Sequence, residues 1–308
     1  SFLFSTIGML NDTGSNCMIT GLYRHAVKGL SSDELTKVTL TSPGETFPDD
    51  RRFALLQKEN EAKFDPTSPK WLHKNHFLCA FTEPKLMSRF KTSYHQILNE
   101  AGGSYAEPCD EIGVAQQQVA RILTIQDRVS EENLLGPIDL ATEDGRVSLA
   151  NFFSDISGKE VICISSSSNS KDHKHQFGNT SSGVKQREDT RTVHIVNENS
   201  LKDFEAKIGV PLNASRFRPN IVVKGLEAWK EFDLVGHQIC LGTTKLSIIK
   251  KTVRCDGISV DALDPDNILD IPSLMSKHYP TYGPYFGVYA VVDYPGTMAI
   301  GDTLVTLD

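Results

Sequence analysis

Short β-prone runs, each closed off by Gly, Pro, Asp or Ser, constrain this chain more than any other feature of its sequence. Residues 18–24, 36–41, 52–57 and 76–81 are such runs in the first third, and 237–241, 245–254, 286–293 and 303–307 are such runs in the last. Strands this short, spaced by turn residues, fit a barrel or sandwich. Helices are fewer. Residues 83–91 read as a short one. Residues 138–142, the Asp144-Gly145 turn and Val147 read as a hairpin, after which Ser148 is placed to cap a helix carrying Leu149, Phe152, Phe153 and Ile156, with Gly158 as its stop. Ser200-Leu201-Lys202-Asp203 resembles a capping box, with Gly209 past the end of that helix, and Pro272 fits the first turn of another running to His278. The expected fold is mainly β with short helices, an α+β arrangement.

At 308 residues the chain is long enough for a substantial core and two lobes. Residues 101–113 read as the loop crossing between them, and 165–190 as a second polar loop. The net charge of −7 argues against a general nucleic-acid binder, which needs a basic footprint. Six dispersed cysteines, without a CxxC pair or zinc spacing, fit a reducing intracellular setting, cytoplasmic or mitochondrial. No segment is apolar for long enough to span a membrane, and residues 1–17 read as a leader or loose terminus.

Chemistry is concentrated in two segments. Arg254-Cys255 ends the run 245–253, where a strand gives way to the acidic turns after Asp256. Fixed positive charge beside a thiol favours the thiolate, the form that binds metals and attacks sulfur. The second segment is Ser215-Arg216-Phe217-Arg218-Pro219-Asn220, leading into the apolar run 221–223. If extended, it points Arg216 and Arg218 the same way, ready for a bidentate grip on an anion such as phosphate. Alternatively the two arginines form a solvated pair. The histidines offer less. His173 and His175 lie in the polar loop with no third ligand in sight and read as solvated; His73 and His76 flank Lys74 and fit either a ligand-orienting or a surface role. No Gly-rich phosphate loop and no G-x-S-x-G elbow is present, which disfavours ATP, NAD and esterase chemistry.

Taken together, these segments resemble the MOSC family, named for the C-terminal domain of molybdenum cofactor sulfurase. The resemblance also runs through Gly21-Leu22-Tyr23-Arg24-His25-Ala26-Val27-Lys28-Gly29-Leu30, Phe47-Pro48-Asp49-Asp50-Arg51-Arg52-Phe53, Trp71-Leu72-His73-Lys74, Phe286-Gly287-Val288-Tyr289 and Gly301-Asp302. It is strongest toward two-part members with an N-terminal β-barrel lobe, such as the amidoxime-reducing and hydroxylaminopurine-resistance groups. It implies a MOSC N-terminal β-barrel domain over 18–118 and a MOSC-type β-barrel over 119–308.

The resemblance further implies a molybdenum cofactor, with Cys255 as metal ligand and catalytic residue. Lys28, Arg52 and Arg216 would grip the pterin and its phosphate, with Gly29, Lys74, Arg218 and Asn220 as further contacts. Pyridoxal phosphate is disfavoured, since full-length sulfurases hold it in a separate domain. Amidoxime-reducing members usually carry Pro and then Lys-Ser in the first motif; this chain has Ala26 and Lys28-Gly29, so the Gly29 backbone N–H would replace one side-chain donor. The implied activity is reduction of small N-hydroxylated compounds. No iron–sulfur domain follows the final strand, so electrons are expected from a separate donor such as a b-type cytochrome and its NADH-dependent reductase. The alternative is a sulfur or cofactor carrier using the same cysteine as persulfide or metal ligand.

Overall fold

The structure, a computed structural model, describes residues 17–65, 71–98, 119–166 and 190–307. The first part of the chain gives β1 (Met18–Arg24), β2 (Asp33–Leu35), β3 (Lys37–Leu40), β4 (Phe53–Gln57), β5 (Phe77–Leu78), helix α1 (Pro84–Ser88) and β6 (Phe90–Leu98). Then come β7 (Val119–Asp127), β8 (Asn133–Asp139), α2 (Glu143–Ser157) and β9 (Val161–Ser165). The last part supplies β10 (Val193–Asn197), α3 (Glu198–Ile208), β11 (Ile221–Lys224), β12 (Gln238–Leu241), β13 (Thr244–Val253), α4 (Ile271–His278), β14 (Tyr285–Tyr294), β15 (Gly296–Ala299) and β16 (Leu304–Leu307). The fold is mainly β with a few short helices, as the run pattern implied.

One sheet dominates, in the order β16-β12-β13-β14-β10-β11-β1-β2. Its centre is β10, parallel to β11 and antiparallel to β14, and buried along its whole length. Register shifts between β13 and β14 at Lys245/Leu246, Ile248/Lys250 and Lys251/Val253 bend these two long strands and curl the sheet. Helices α3 and α4 help fill the core beneath it: Phe204, Ile271 and Met275 pack with Ile195, Ile221, Phe286 and Val288. A second core lies between β4-β5-β9, the β6-β7-β8 meander and α2, where Phe90 meets Phe152 and Phe153 edge-on at 5.7 and 5.5 Å. The pairs β1–β11, β4–β9 and β3–β15 join residues from both sides of position 118. Among the described residues no helix is long and apolar enough to cross a membrane.

Several local expectations are corrected. Residues 138–147 are not a hairpin. Thr142 caps α2 by accepting from Gly145 N at 3.1 Å, and Ser148 lies inside the helix, donating to Asp144 O. The glycine that resembled a turn residue is there for close approach, since a Cβ on Gly145 would stand 2.0 Å from Asp139 O. The helix expected over 83–91 stops at Ser88, and β6 begins two residues later. Only Phe77–Leu78 of the run 76–81 pairs as strand. The cap of α3 is Asn197; Ser200 instead donates to the buried Glu231 carboxylate at 2.8 Å. Gly158 and Gly209 do end their helices in the left-handed conformation, and Pro272 does sit in the first turn of α4. The expected loop 101–113, the part 167–189 of the expected loop 165–190, with His173 and His175, and the segment before Cys17 lie outside the described residues; Ser165, expected in that loop, ends β9.

Candidate functional site

The segment expected to extend from Ser215 does not. Ala214–Phe217 forms a tight 3-10 turn, Arg218 follows in the left-handed region at φ 52°, and the strand begins only at Ile221. The two arginines therefore diverge. Arg218 turns toward the segment after β1, where its Nη2 donates to Leu30 O at 2.8 Å. Arg216 turns inward to meet Asp261 at 3.1 Å, and its side chain has no exposed surface. The Arg218 turn is pinned from below. Asn220, fully buried, accepts from His194 N at 3.1 Å and donates to Tyr23 O at 3.2 Å, while His25 Nε2 lies 3.0 Å from Pro219 O.

Around Arg218 lies a cavity of about 180 Å³. One wall is the Lys28-Gly29 pair, held by Lys28 N donating to Phe53 O at 2.8 Å. Gly29 has φ +95°, and a Cβ there would stand 2.7 Å from Cys79 Cα and 2.8 Å from Ala80 N. Only glycine lets these two segments meet. The opposite wall is the end of β13, with Arg254 and Cys255, and the turn through Gly257 and Ile258. Lys74, Cys79 and Phe81 line a third side; His194 from β10 and Tyr289 from β14 complete it with Arg51.

The cavity is strongly positive. Lys28, Arg51, Lys74, Arg218 and Arg254 line it, and among the described residues no carboxylate does, although Arg51 pairs with Asp50. Lys28 and Lys74 have no acidic partner among the described residues; they lie over the Phe77 and Phe81 rings at 5.5 and 3.4 Å. Burial, with Arg51, Arg218 and Lys74 adding to it, holds the Lys28 ammonium below the ordinary lysine range. Burial and the neighbouring Arg51 push Arg218 down to about 9. Burial likewise lowers Arg254, whose Nε is buried without a partner among the described residues. His194 is held neutral by burial and by Arg254, and burial keeps Tyr289 in its phenol form. The lowered lysine and arginine values mark cations that an anion in the cavity would relieve.

Of the residues singled out from sequence, Cys255, Lys28, Gly29, Lys74 and Arg218 come together here. Arg52, Arg216 and Asn220 are not among the lining residues. Arg52 turns away to pair with Asp49 at 3.2 Å, and its neighbour Arg51 faces the cavity instead, from a left-handed backbone at φ 51°. Asp49 itself sits where burial disfavours charge, but Arg52, Tyr94 Oη and Arg121 outweigh this and hold its carboxyl below the usual range. Sequence reasoning missed Arg51, Cys79, His194, Arg254 as a cavity cation, and Tyr289.

The donor set fits an anionic, metal-carrying group. No cluster of three or more His, Cys, Asp or Glu side chains is placed to hold a metal among the described residues. A metal here would therefore bring most of its own ligands and take one soft thiolate from Cys255, which is exposed at the cavity. The cations around it suit a phosphate and a polar ring edge.

Residues 172–305 match the model of the MOSC domain family. Human mitochondrial amidoxime-reducing component 1 is 28% identical over 137 residues, which cover 39% of this chain and 38% of that protein. The rat mitochondrial amidoxime reducing component 2 is 28% identical over 129 residues, 37% of this chain and 36% of that protein. The chain thus spans little more than a third of the length of these relatives. A solved structure of the YUAD protein from Bacillus subtilis overlaps 94% of this chain at 12% identity, with a TM-score of 0.38. The segment that matches the MOSC domain model, residues 172–305, supplies both the Arg218 turn and Cys255.

Proposed function

We propose that the chain is a molybdenum cofactor-binding oxidoreductase that reduces N-hydroxylated compounds with electrons from a separate donor protein. The observation that carries this reading is the convergence of five cations and one exposed thiol on a single cavity that no carboxylate lines among the described residues. Similarity to proteins named for amidoxime reduction supplies the reaction class. The net change is N–OH plus two electrons and two protons giving N–H and water. When bound, the cofactor supplies a two-electron metal centre able to take up the oxygen.

The chain's own residues have three tasks in this reading. Lys28, Arg51 and Arg218 hold the cofactor's phosphate and polar edge, and Arg254 sets the charge beside the Cys255 thiolate that ligates the metal. Phe81, Phe217 and Ile258 line the same cavity with apolar surface, which limits water and strengthens the ionic contacts. Tyr289 Oη, kept protonated by burial, holds a proton inside the cavity. Arg52, Arg216 and Asn220 support from outside.

The test is a reconstitution. Cofactor-loaded protein alone should leave NADH untouched, and addition of a b-type cytochrome, its reductase and an N-hydroxylated amidine should start NADH oxidation. Loaded protein that stays inert with several donors, yet releases sulfur from Cys255 to cyanide, would point to a sulfur or cofactor carrier instead.

A further inference from the structure

Arg216 makes more polar contacts than any cavity-lining cation, and none of them faces the cavity. Its Nη1 donates to Ile258 O at 3.1 Å and Ser259 O at 2.8 Å. Its Nη2 reaches Asp261 Oδ2 at 3.1 Å, Asn267 Oδ1 at 2.9 Å and Asn267 O at 3.2 Å. These acceptors belong to the segment that follows Cys255. That segment doubles back on itself, with Leu269 N donating to Ser259 O and Asp261 N to Asn267 O, and the guanidinium fills its interior. A second contact runs the opposite way. Arg254 Nη2 donates to Phe217 O at 2.9 Å, so the arginine beside Cys255 holds the residue beside Arg216. Phe217 is itself fixed by stacking on Phe286, with ring centroids 3.9 Å apart.

We propose that Arg216 is the positioning residue of Cys255: by clamping the Ile258–Asn267 turn to the Arg218 turn, it keeps the thiol facing the cationic cavity. The physical need is plain. Cys255 is exposed, lies beyond the end of β13 and is followed by a short 3-10 turn; backbone bonds from Arg254 N to Pro284 O at 2.7 Å and from Ile258 N to Cys255 O at 3.2 Å hold it locally, and the clamp fixes that turn against the cavity. A reactive group has to be held within about half an ångström of its working position by neighbours that are themselves locked. Four N–H groups on the two terminal nitrogens of one planar, buried fork, shared among five acceptors, meet that need, and lysine, with a single nitrogen, does not. The inference rests on the preceding reading only in taking Cys255 as the reactive group. It holds equally for a metal ligand or a sulfur carrier.

The test reads the thiol itself, on the cofactor-free full chain. Cys255 is alkylated with iodoacetate, an anion, and with iodoacetamide, which is neutral, and the two rates are compared by mass spectrometry. Any change in thiolate content cancels in the ratio, which reports whether the thiol still faces the cations. Cys240, half-buried on β12, is the internal reference. Arg216→Lys keeps charge opposite Asp261 but cannot span the turn. The double variant Arg216→Met with Asp261→Leu removes both buried charges, so no carboxylate is left unpaired. In each, the iodoacetate-to-iodoacetamide ratio at Cys255 should fall roughly threefold or more, as expected when a thiol leaves a focused positive field, and the ratio at Cys240 should not move. Hydrogen exchange at Ile258 and Ser259 should quicken in Arg216→Lys while β13 keeps its protection. A wild-type ratio at Cys255 in folded Arg216→Lys or in the double variant would overturn the proposal, as would unchanged exchange at Ile258 and Ser259.

Discussion

Replacing Lys28 by Met should make the anion-free protein more stable, which is unusual for a residue in a functional cavity. Lys28 has no acidic partner among the described residues and shares the cavity with Arg51, Lys74, Arg218 and Arg254. Charges on the walls of a cavity of about 180 Å³ stand roughly 8 Å apart, where one like-charge pair costs about 0.5–2 kcal/mol between bulk-water and protein-surface screening. Against this the variant loses the contact with the Phe77 ring, worth about 0.5–1 kcal/mol. The net gain should be about 1 kcal/mol, or roughly 2–4 °C in melting temperature for a chain of this size. The pH dependence has a sign. Because folding lowers the Lys28 pKa, the folded state releases its proton first, so wild-type stability rises as pH climbs from below toward the ordinary lysine value, and this component is missing from the variant. The assay is thermal unfolding with and without sulfate at matched ionic strength. Wild type should gain more from sulfate than Lys28→Met does. A variant that melts lower than wild type and keeps the full sulfate response would refute the idea of a strained cationic cavity.

Other consequences follow from the same geometry. Gly29→Ala should cost about 1–3 kcal/mol in stability and weaken sulfate binding, because a Cβ at φ +95° has no room beside Cys79; unfolding in denaturant with a wild-type midpoint would contradict this. Asp49→Asn should lower stability by about 1–3 kcal/mol by leaving half-buried Arg52 and Arg121 without their carboxylate. Since folding lowers the Asp49 pKa, its contribution is present above the ordinary carboxylate range and disappears as pH falls through the folded value, so the two proteins should converge in acid. Brief alkylation of the native protein at neutral pH should label exposed Cys255 ahead of Cys17 and Cys163, whose thiols burial pushes up to about 11 and about 12. Equal labelling of all three would show that the thiol environments are wrong.

The fold was legible where burial follows simple periodicity. The runs 18–24 and 245–253, and the glycine stops at 158 and 209, needed only pattern and turn chemistry. Legibility failed where a residue serves a distant neighbour. Gly145 was read as a turn because its closeness to Asp139 O is invisible in sequence, and the 3-10 turn at 214–217 was missed because its partner, the segment after Cys255, lies some forty residues on. The same limit applies to the site. Cys255 and Arg218 were visible as sulfur-bearing and cationic motifs, Lys28, Gly29 and Lys74 only through the family resemblance, and all line the cavity. Arg51 against Arg52, and Arg218 against Arg216, depended on left-handed backbone at Arg51 and Arg218, which no motif encodes. Cys79 and Tyr289 sit in runs that read as ordinary strand, His194 lies in β10, which the run pattern does not mark, and only the tertiary arrangement brings the three to the cavity.

The central claim is that one cavity, bounded by Cys255 and the cations, holds a molybdenum cofactor. Its most direct test is the molybdenum and oxidised-pterin content of protein purified from a host that makes the cofactor, for wild type, Cys255→Ser and Arg218→Ala. The account predicts close to one molybdenum and one pterin per wild-type chain. Cys255→Ser should retain pterin with altered metal coordination and no turnover, and Arg218→Ala should lose both while remaining folded. Folded wild-type protein free of molybdenum and pterin, or full occupancy and activity in Cys255→Ser, would contradict it.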